Sequence, residues 1–236
     1  MAVSAAASIS VSAESPVEIA ERIVFARGGR ARMQSIQTER MSGRIFAQFE
    51  TGSFEMELKR PNKVRLELNL AGTNVVRAYD GGTGWKLRLP SEHIPQGMDD
   101  KETKELIGQA DIDGPFLDYN NKGTQIEIVD KEMLGPSLVW KLKVALKDGR
   151  VEYYYVETTG YMVLMREEPV GKDGSLFSRQ FYRNFQRVEN IPFPFVVISE
   201  PDDSEDPVRL EFDKIEINVP ENDDRFNLKV AANTTK

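Results

Sequence analysis

The segment VRAYDGGTGWKL, residues 76–87, places three glycines and a threonine between two stretches in which apolar and polar residues alternate. Asp80-Gly81 in such a setting is a strong signal for a tight β-hairpin, because glycine accepts the positive φ of the favoured turns. A phosphate-binding loop is excluded, because neither G-x-x-x-x-G-K-[ST] nor G-x-G-x-x-G fits the spacing. The segment therefore predicts two antiparallel strands, with Trp85 one step beyond the turn.

The same period of two continues on both sides of this hairpin. Asp148-Gly149 marks a second hairpin, which leads into the strand VEYYYVE. Short turns between such segments indicate antiparallel neighbours, and we expect about ten or eleven strands in all. The clearest strand segments are 54–58, 64–70, 74–79, 83–89, 138–146, 151–157, 180–188, 193–199 and 208–219.

Two helices interrupt this pattern. Ser15-Pro16 supplies a hydroxyl cap and a proline at the first helical position, and Gly28-Gly29 ends the apolar stretch that follows. The segment DDKETKELIGQA, residues 99–110, has acidic caps and is flanked by glycine and proline, as a flap over the sheet would be. Two helices are too few to cover one face of so large a sheet. Either a closed barrel packed with side chains or a curled sheet with helices in its mouth is expected, and the second leaves room for an apolar ligand.

Bulk properties exclude several functional classes. The net charge of −7 leaves no source for the phosphate neutralisation on which nucleic-acid affinity depends. The chain has no cysteine, which excludes thiolate metal sites, cysteine nucleophiles and disulfides. His93, the only histidine, is expected on a surface loop, and no carboxylate cluster has the spacing of a calcium loop. We therefore expect no enzyme, metal or cofactor, although a glycosidase-type carboxylate pair depends on spatial distance and stays open.

The first fourteen residues differ from the rest of the chain, because they are almost all Ala, Ser and Val. Small residues at 11 and 13 have the spacing that a signal peptidase reads. We interpret residues 1–14 as a signal-peptide remnant, or alternatively as a disordered tail, and expect residues 15–236 to form one exported, periplasmic domain. No stretch reaches the roughly 18–20 apolar residues that span a bilayer.

Five segments, in order along the chain, resemble the periplasmic lipoprotein carrier protein family and the broader group of outer-membrane lipoprotein-sorting proteins. The first two, KRPNKVR and YDGGTGW, resemble the carrier family, and the other three resemble the broader group. The segments are KRPNKVR (59–65), YDGGTGW (79–85), QADIDGPFLDY (109–119), IPFPF (191–195) and NVPENDDRF (218–226).

This resemblance implies an α+β, mainly antiparallel fold: one strongly curled, open half-barrel, with the N-terminal and mid-chain helices as a lid over its concave face. It implies a carrier that binds acyl chains of lipoproteins or other lipids in a hydrophobic cavity and shuttles them toward the outer membrane. Its partners would be an inner-membrane ABC-type exporter and an outer-membrane receptor. The alternative is a lipid- or lipoprotein-sensing module that regulates an envelope-stress partner.

Strand alternation puts Trp85 and Leu87 on one face and Lys86 and Arg88 on the other. Because lysine and arginine should face water, we expect Trp85 to face the concavity near the lid. Aromatic, Leu, Val and Met side chains on that face would suit acyl chains, and Phe185 is expected among them. The candidate cavity residues are Ile19, Ile23, Phe54, Met56, Leu58, Val64, Leu66, Leu68, Trp85, Leu87, Leu106, Ile107, Trp140, Leu142, Tyr153, Tyr155 and Phe181.

Overall fold

The computed structural model describes residues 14–170, 176–201 and 206–228, so the expected tail lies, apart from Glu14, outside the described residues. Within these ranges the chain forms thirteen strands. They are β1 (Thr38–Ala47), β2 (Glu50–Lys59), β3 (Lys63–Leu70), β4 (Thr73–Tyr79), β5 (Gly84–Leu89), β6 (Gln96–Gly97), β7 (Gln125–Leu134), β8 (Ser137–Ala145), β9 (Val151–Glu157), β10 (Val163–Val170), β11 (Leu176–Val188), β12 (Ile191–Glu200) and β13 (Val208–Ile217).

All thirteen strands belong to one open sheet, in the order β6-β5-β4-β3-β2-β1-β13-β12-β11-β10-β9-β8-β7. Every pair is antiparallel, and most neighbours are consecutive in the chain. The exception is β1, which pairs with β13 and so joins the first and last parts of the sheet. The predicted open, mainly antiparallel architecture is therefore confirmed.

Both sequence-predicted helices are present. In α1 (Pro16–Ala26), Ser15 and Glu18 form a reciprocal capping box, and in α3 (Asp100–Gly108) Asp99 and Glu102 do the same. Gly28, with φ of 101°, follows the C-terminal end of α1 as expected. The remaining helical elements are α2 (Arg30–Ser35), α4 (Tyr119–Lys122) and a 3-10 turn, Asp223–Arg225. No helix in the described part of the chain combines the length and apolarity that a membrane span requires.

The hairpin predicted from the glycine-rich segment joins β4 to β5. The side-chain Oδ1 of Asp80 accepts hydrogen bonds from the backbone N–H groups of Gly82 at 2.8 Å and Thr83 at 2.7 Å. Gly81 has φ of 101°, a conformation that a side chain would strain. The register places Trp85 opposite Ala78, so the turn sets which residues of β5 share a face.

Helices α1 and α3 pack on the same side of the sheet, which we call the helix-covered face. Leu106 of α3 packs with Leu58 and Val64 of the central strands, in a cluster that continues into β12 and β13. Ile23 of α1 packs with Leu142 of β8, in a second cluster near the β7 edge. The two helices therefore cover opposite ends of one face.

The opposite face carries apolar residues as well. Trp85 and Leu87 form a cluster there, and the segment that follows β13, residues 218–228 (the C-terminal segment), crosses the sheet beside it. The indole Nε1 of Trp85 donates a hydrogen bond of 2.8 Å to the backbone oxygen of Phe226. Toward the β7 edge, Tyr155 packs with Met165 on this same face.

Two details of the predicted fold are wrong. The described part of the sheet has thirteen strands rather than ten or eleven, and none of the segments named from the sequence covers β1, β6, β7 or β10. β6 has two residues, β7 is broken by a bulge, and β10 carries charged residues on both faces. The sheet is also not strongly curled. Strong curl was expected because one apolar face had to be hidden from water. In the structure, buried apolar clusters lie on both faces of the sheet.

Phe226 tests whether the C-terminal segment stabilises the sheet. Its side chain is fully buried, so Phe226→Ala should lower the free energy of unfolding by about 3–5 kcal/mol. Leu228→Ala, two residues later at a position 38% exposed, is the matched control and should cost less than about 1 kcal/mol. Urea unfolding followed by circular dichroism measures both. Equal midpoints for the two variants would show that the segment is not anchored through Phe226.

Candidate functional site

A cavity of about 450 Å³ lies between α1, the end of α3 and strands β9 to β12. This volume falls within the range of small-molecule sites, which is roughly 300–1,000 Å³. Its lining residues are Ile23, Arg27, Ile107, Gly108, Asp111, Gly114, Pro115, Phe116, Leu146, Arg150, Glu152, Tyr154, Met162, Val163, Arg166, Tyr182, Phe185, Pro192, Phe193 and Pro194. The site is thus built by both helices and by four neighbouring strands.

Most of the wall is apolar. Ile23 comes from α1 and Ile107 from α3, while Phe185 and Phe193 come from β11 and β12. Pro192 and Pro194, on either side of Phe193 in β12, add further apolar surface. An aliphatic chain bound against such a wall leaves water, and each buried CH₂ group contributes about 0.8 kcal/mol of favourable binding free energy.

The polar part of the wall centres on Glu152, whose side chain is nearly buried. Its Oε2 accepts a hydrogen bond of 2.5 Å from the hydroxyl of Tyr154. Its Oε1 lies 3.7 Å from Nη1 of Arg150 and 3.5 Å from Nη1 of Arg166. Burial raises the pKa of Tyr154 well above its ordinary value, so this phenol stays protonated and acts as the donor.

Two arginines hold the loop 111–114, which follows α3 and forms one rim of the cavity. Arg27 donates to the backbone oxygens of Asp113 at 3.0 Å and Ile112 at 3.3 Å. Arg60 forms a bidentate ion pair with the carboxylate of Asp113 and also donates to two backbone carbonyls near the end of α2. Hydrogen bonding from Arg60 holds the pKa of Asp113 below its usual value.

Glu39 lies on β1 and is 5% exposed. It is near Arg27, Arg60 and the loop 111–114, which together we call the clamp. Its Oε1 has no hydrogen-bond partner in the described part of the chain. Burial raises the pKa of Glu39 to about 7, although the charges of Arg27 and Arg60 act in the opposite direction. The neutral carboxylic acid is therefore the favoured form below neutral pH.

Three residues expected at the cavity line it: Ile23, Ile107 and Phe185. Others belong to the helix-covered face but pack in its clusters or beside them, outside the cavity wall. By cluster membership and strand register these are Ile19, Phe54, Met56, Leu58, Val64, Leu66, Leu68, Leu106, Trp140 and Leu142. The structure thus places them on the predicted side of the sheet but not in contact with the cavity.

Five expected residues lie on the opposite face: Trp85, Leu87, Tyr153, Tyr155 and Phe181. The reason is visible at Lys86, whose Nζ contacts Oε1 of Glu102 on α3 at 2.5 Å. The rule that lysine faces water therefore failed, because this lysine has a carboxylate partner on the helix. Trp85 faces the C-terminal segment instead of the lid.

The tyrosine run was misassigned in the same way. Tyr154 points to the cavity, and its two neighbours do not. Tyr154 on β9 is paired with Leu142 on β8, and because Leu142 lies beneath α1, both side chains are on the helix-covered face. The aromatic rings of Tyr153 and Tyr155 lie 5.3 and 5.0 Å from Nζ of Lys141 on the opposite face. Alternation separates the two faces of a strand but does not say which face a helix covers.

Several cavity residues were not expected from the sequence, above all Arg150, Glu152 and Arg166. Charged residues on strands and in turns normally face solvent, so no sequence signal distinguished these three. Among the described residues, no group of three or more His, Asp or Glu is placed to hold a metal ion. His93 is exposed. The arrangement therefore suits binding of an apolar molecule beside a few fixed charges.

No protein-family model matches the chain, and a search of curated proteins also finds no match. Three solved structures resemble it over most of its length. A DUF1329 family protein from Desulfovibrio piger has a TM-score of 0.63 at 12% identity, covering 91% of this chain and 98% of the other. An outer membrane lipoprotein-sorting protein domain from Vibrio parahaemolyticus has a TM-score of 0.61 at 11% identity, covering 92% and 98%.

The third, a LolA superfamily protein from Nitrosomonas europaea, has a TM-score of 0.62 at 15% identity, covering 91% of this chain and 98% of the other. At these identities the likeness establishes the fold alone. The fold is that of the LolA superfamily and of lipoprotein-sorting domains, so the resemblance found in the sequence segments is confirmed at the level of the fold.

Glu39 gives the clamp a pH dependence. Between its ordinary pKa of 4.5 and the raised value of about 7, the folded protein holds a proton that the unfolded chain has released. The free energy of unfolding should therefore fall as pH rises through this window, by up to about 3 kcal/mol from this residue. Glu39→Gln should flatten that fall and stabilise the protein at pH 8, measured by urea unfolding at several pH values. Glu127→Gln, at an exposed position, is the control and should leave the pH dependence of stability unchanged. If the pH profile of Glu39→Gln runs parallel to that of wild type, Glu39 does not have the raised pKa assigned to it.

Proposed function

We propose that this protein is a periplasmic carrier that binds acyl chains of lipoproteins or other lipids and moves them toward the outer membrane. The observation that carries the proposal is the largely apolar cavity between α1, α3 and the sheet. It offers a place where hydrocarbon leaves water, and among the described residues no group of three or more His, Asp or Glu is placed to hold a metal ion. Binding without chemistry is the function that this wall supports best.

The fold supports the same proposal. A domain named for outer membrane lipoprotein sorting and a LolA superfamily protein share it over nearly their whole length. Because a fold alone does not specify a ligand, the main support for the proposed function is the cavity. An inner-membrane exporter and an outer-membrane receptor are the partners that this role would require.

Helix α3 is the proposed lid. Ile107, near its C-terminal end, forms part of the cavity wall. Near its N-terminal end, Glu102 is tethered to β5 by Lys86, and Arg77 donates to the Glu102 backbone oxygen at 3.4 Å. Lifting α3 would break these partly buried polar contacts and expose the cavity beneath its end. Partly exposed ion pairs of this kind contribute little, so most of the cost of lifting α3 would come from exposing Leu106, which is fully buried in the central cluster.

Phe185 tests the cavity as the acyl site. It lines the cavity but is not part of a buried cluster, so Phe185→Ala should fold normally while removing apolar contact area. We expect affinity for a fluorescent fatty acid to fall about threefold to tenfold. Phe46→Ala, on β1 away from the cavity and stacked on Arg209 at 4.5 Å, is the control and should bind like wild type.

Lipid extraction and mass spectrometry of protein purified from a bacterial periplasm provide the direct check on the carrier role. Acyl species should copurify with wild type and be reduced in Phe185→Ala. A protein that carries no acyl species and does not bind the fluorescent fatty acid would refute the proposed function.

Lys86 tests the lid. Lys86→Met removes the ion pair with Glu102 and should raise the association rate of the fluorescent fatty acid, measured by stopped flow, by a few-fold. Arg88→Met, two residues along the same strand and exposed, keeps the tether and should leave that rate unchanged. Identical rates for all three proteins would mean that α3 does not limit access.

A further inference from the structure

Arg166 has an unusual position for a strand arginine. It lies on β10, on the face of the sheet that the helices cover, and its half-buried side chain lines the cavity. Its one ion-pair contact in the described part of the chain is the 3.5 Å approach of Nη1 to Glu152. No hydrogen bond from its guanidinium group is found among the described residues. A guanidinium carries five N–H donors, so most donors of Arg166 have no protein partner among the described residues and can bind a ligand or water.

The residues that line the cavity carry more positive than negative charges. Arg27, Arg150 and Arg166 line it, against the carboxylates of Glu152 and Asp111. Asp111 is already paired outside this set, because Nζ of Lys122 lies 3.0 Å from its Oδ2.

Glu152 is shared between two guanidinium groups. Arg150 has a second carboxylate partner in Asp148, at 2.8 Å, and is satisfied by it. Glu168, two residues beyond Arg166 on the same strand face, attracts it at longer range. Burial raises the pKa of Tyr154 and of Tyr182, so neither phenol adds a negative charge near pH 7. Arg166 therefore keeps a positive charge that is only partly compensated.

From this geometry we infer that the cavity takes a lipid with an anionic head group, a carboxylate or a phosphate, and that Arg166 binds that group while the apolar wall holds the chain. The inference rests on the proposed function and narrows its ligand class. A planar guanidinium with free donors matches carboxylate and phosphate oxygens in bidentate geometry. Ile107, Phe185 and Phe193 line the same cavity and provide apolar surface for the chain.

Three twelve-carbon probes separate head group from chain: dodecanoate, dodecyl phosphate and the neutral dodecanol. Isothermal titration calorimetry on the full chain gives their affinities, below the critical micelle concentration of the two anionic probes and below the solubility limit of dodecanol. Wild type should bind at least one of the anionic probes about tenfold or more tightly than dodecanol. Stronger binding of dodecyl phosphate indicates a phospholipid-type head group, and stronger binding of dodecanoate indicates a free fatty acid.

Arg166→Gln should remove this preference and leave dodecanol binding unchanged, whereas Arg166→Lys should keep part of it. Arg209→Gln, at an exposed position on β13, is the control and should behave as wild type. Equal affinity of wild type for all three probes would overturn the head-group inference and leave the carrier function standing. Failure of wild type to bind any probe would instead overturn the carrier function. The wild-type comparison decides the matter even if Arg166→Gln does not fold.

Discussion

The bidentate ion pair between Arg60 and Asp113 is the contact on which the arrangement of the site depends. It joins the β2–β3 turn to the loop that follows α3, and the same guanidinium also reaches the end of α2. On the other side of that turn, Lys59 and Lys63 both pair with Asp223 of the C-terminal segment, at 2.6 and 2.9 Å. The β2–β3 turn thereby holds the loop after α3 on one face of the sheet and the C-terminal segment on the other.

This convergence explains the sequence segments that resemble lipoprotein carriers. KRPNKVR supplies Arg60, Lys59 and Lys63, while QADIDGPFLDY supplies Asp113 and NVPENDDRF supplies Asp223. These residues lie far apart in the chain but meet around a single turn. Their ion pairs hold the loop 111–114, which follows α3, and the C-terminal segment against the β2–β3 turn.

Local features of the fold could be predicted from the sequence because their causes are local. The capping boxes at Ser15 and Asp99 and the hairpin at Asp80 each depend on a few neighbouring residues. The face covered by the helices could not be predicted, because it depends on the distant partner of Lys86. The cavity arginines were missed for the same reason, since Arg166 is a charged strand residue whose environment is set by β9, β11 and α1. The cover of Trp85 on the opposite face could not be predicted either, because its indole is bonded to the backbone of Phe226, 141 residues away in the chain.

The two tryptophans of the chain lie on opposite faces of the sheet. Each is therefore an intrinsic fluorescence probe of one face. Trp85 is enclosed by the C-terminal segment, whereas Trp140 packs with the cluster beneath α1 and has Nζ of Lys131 4.3 Å from its ring centroid. Replacing one indole at a time by phenylalanine would assign each part of the intrinsic emission to one face. Changes in the environment of α1 and detachment of the C-terminal segment could then be followed separately in a single unlabelled sample.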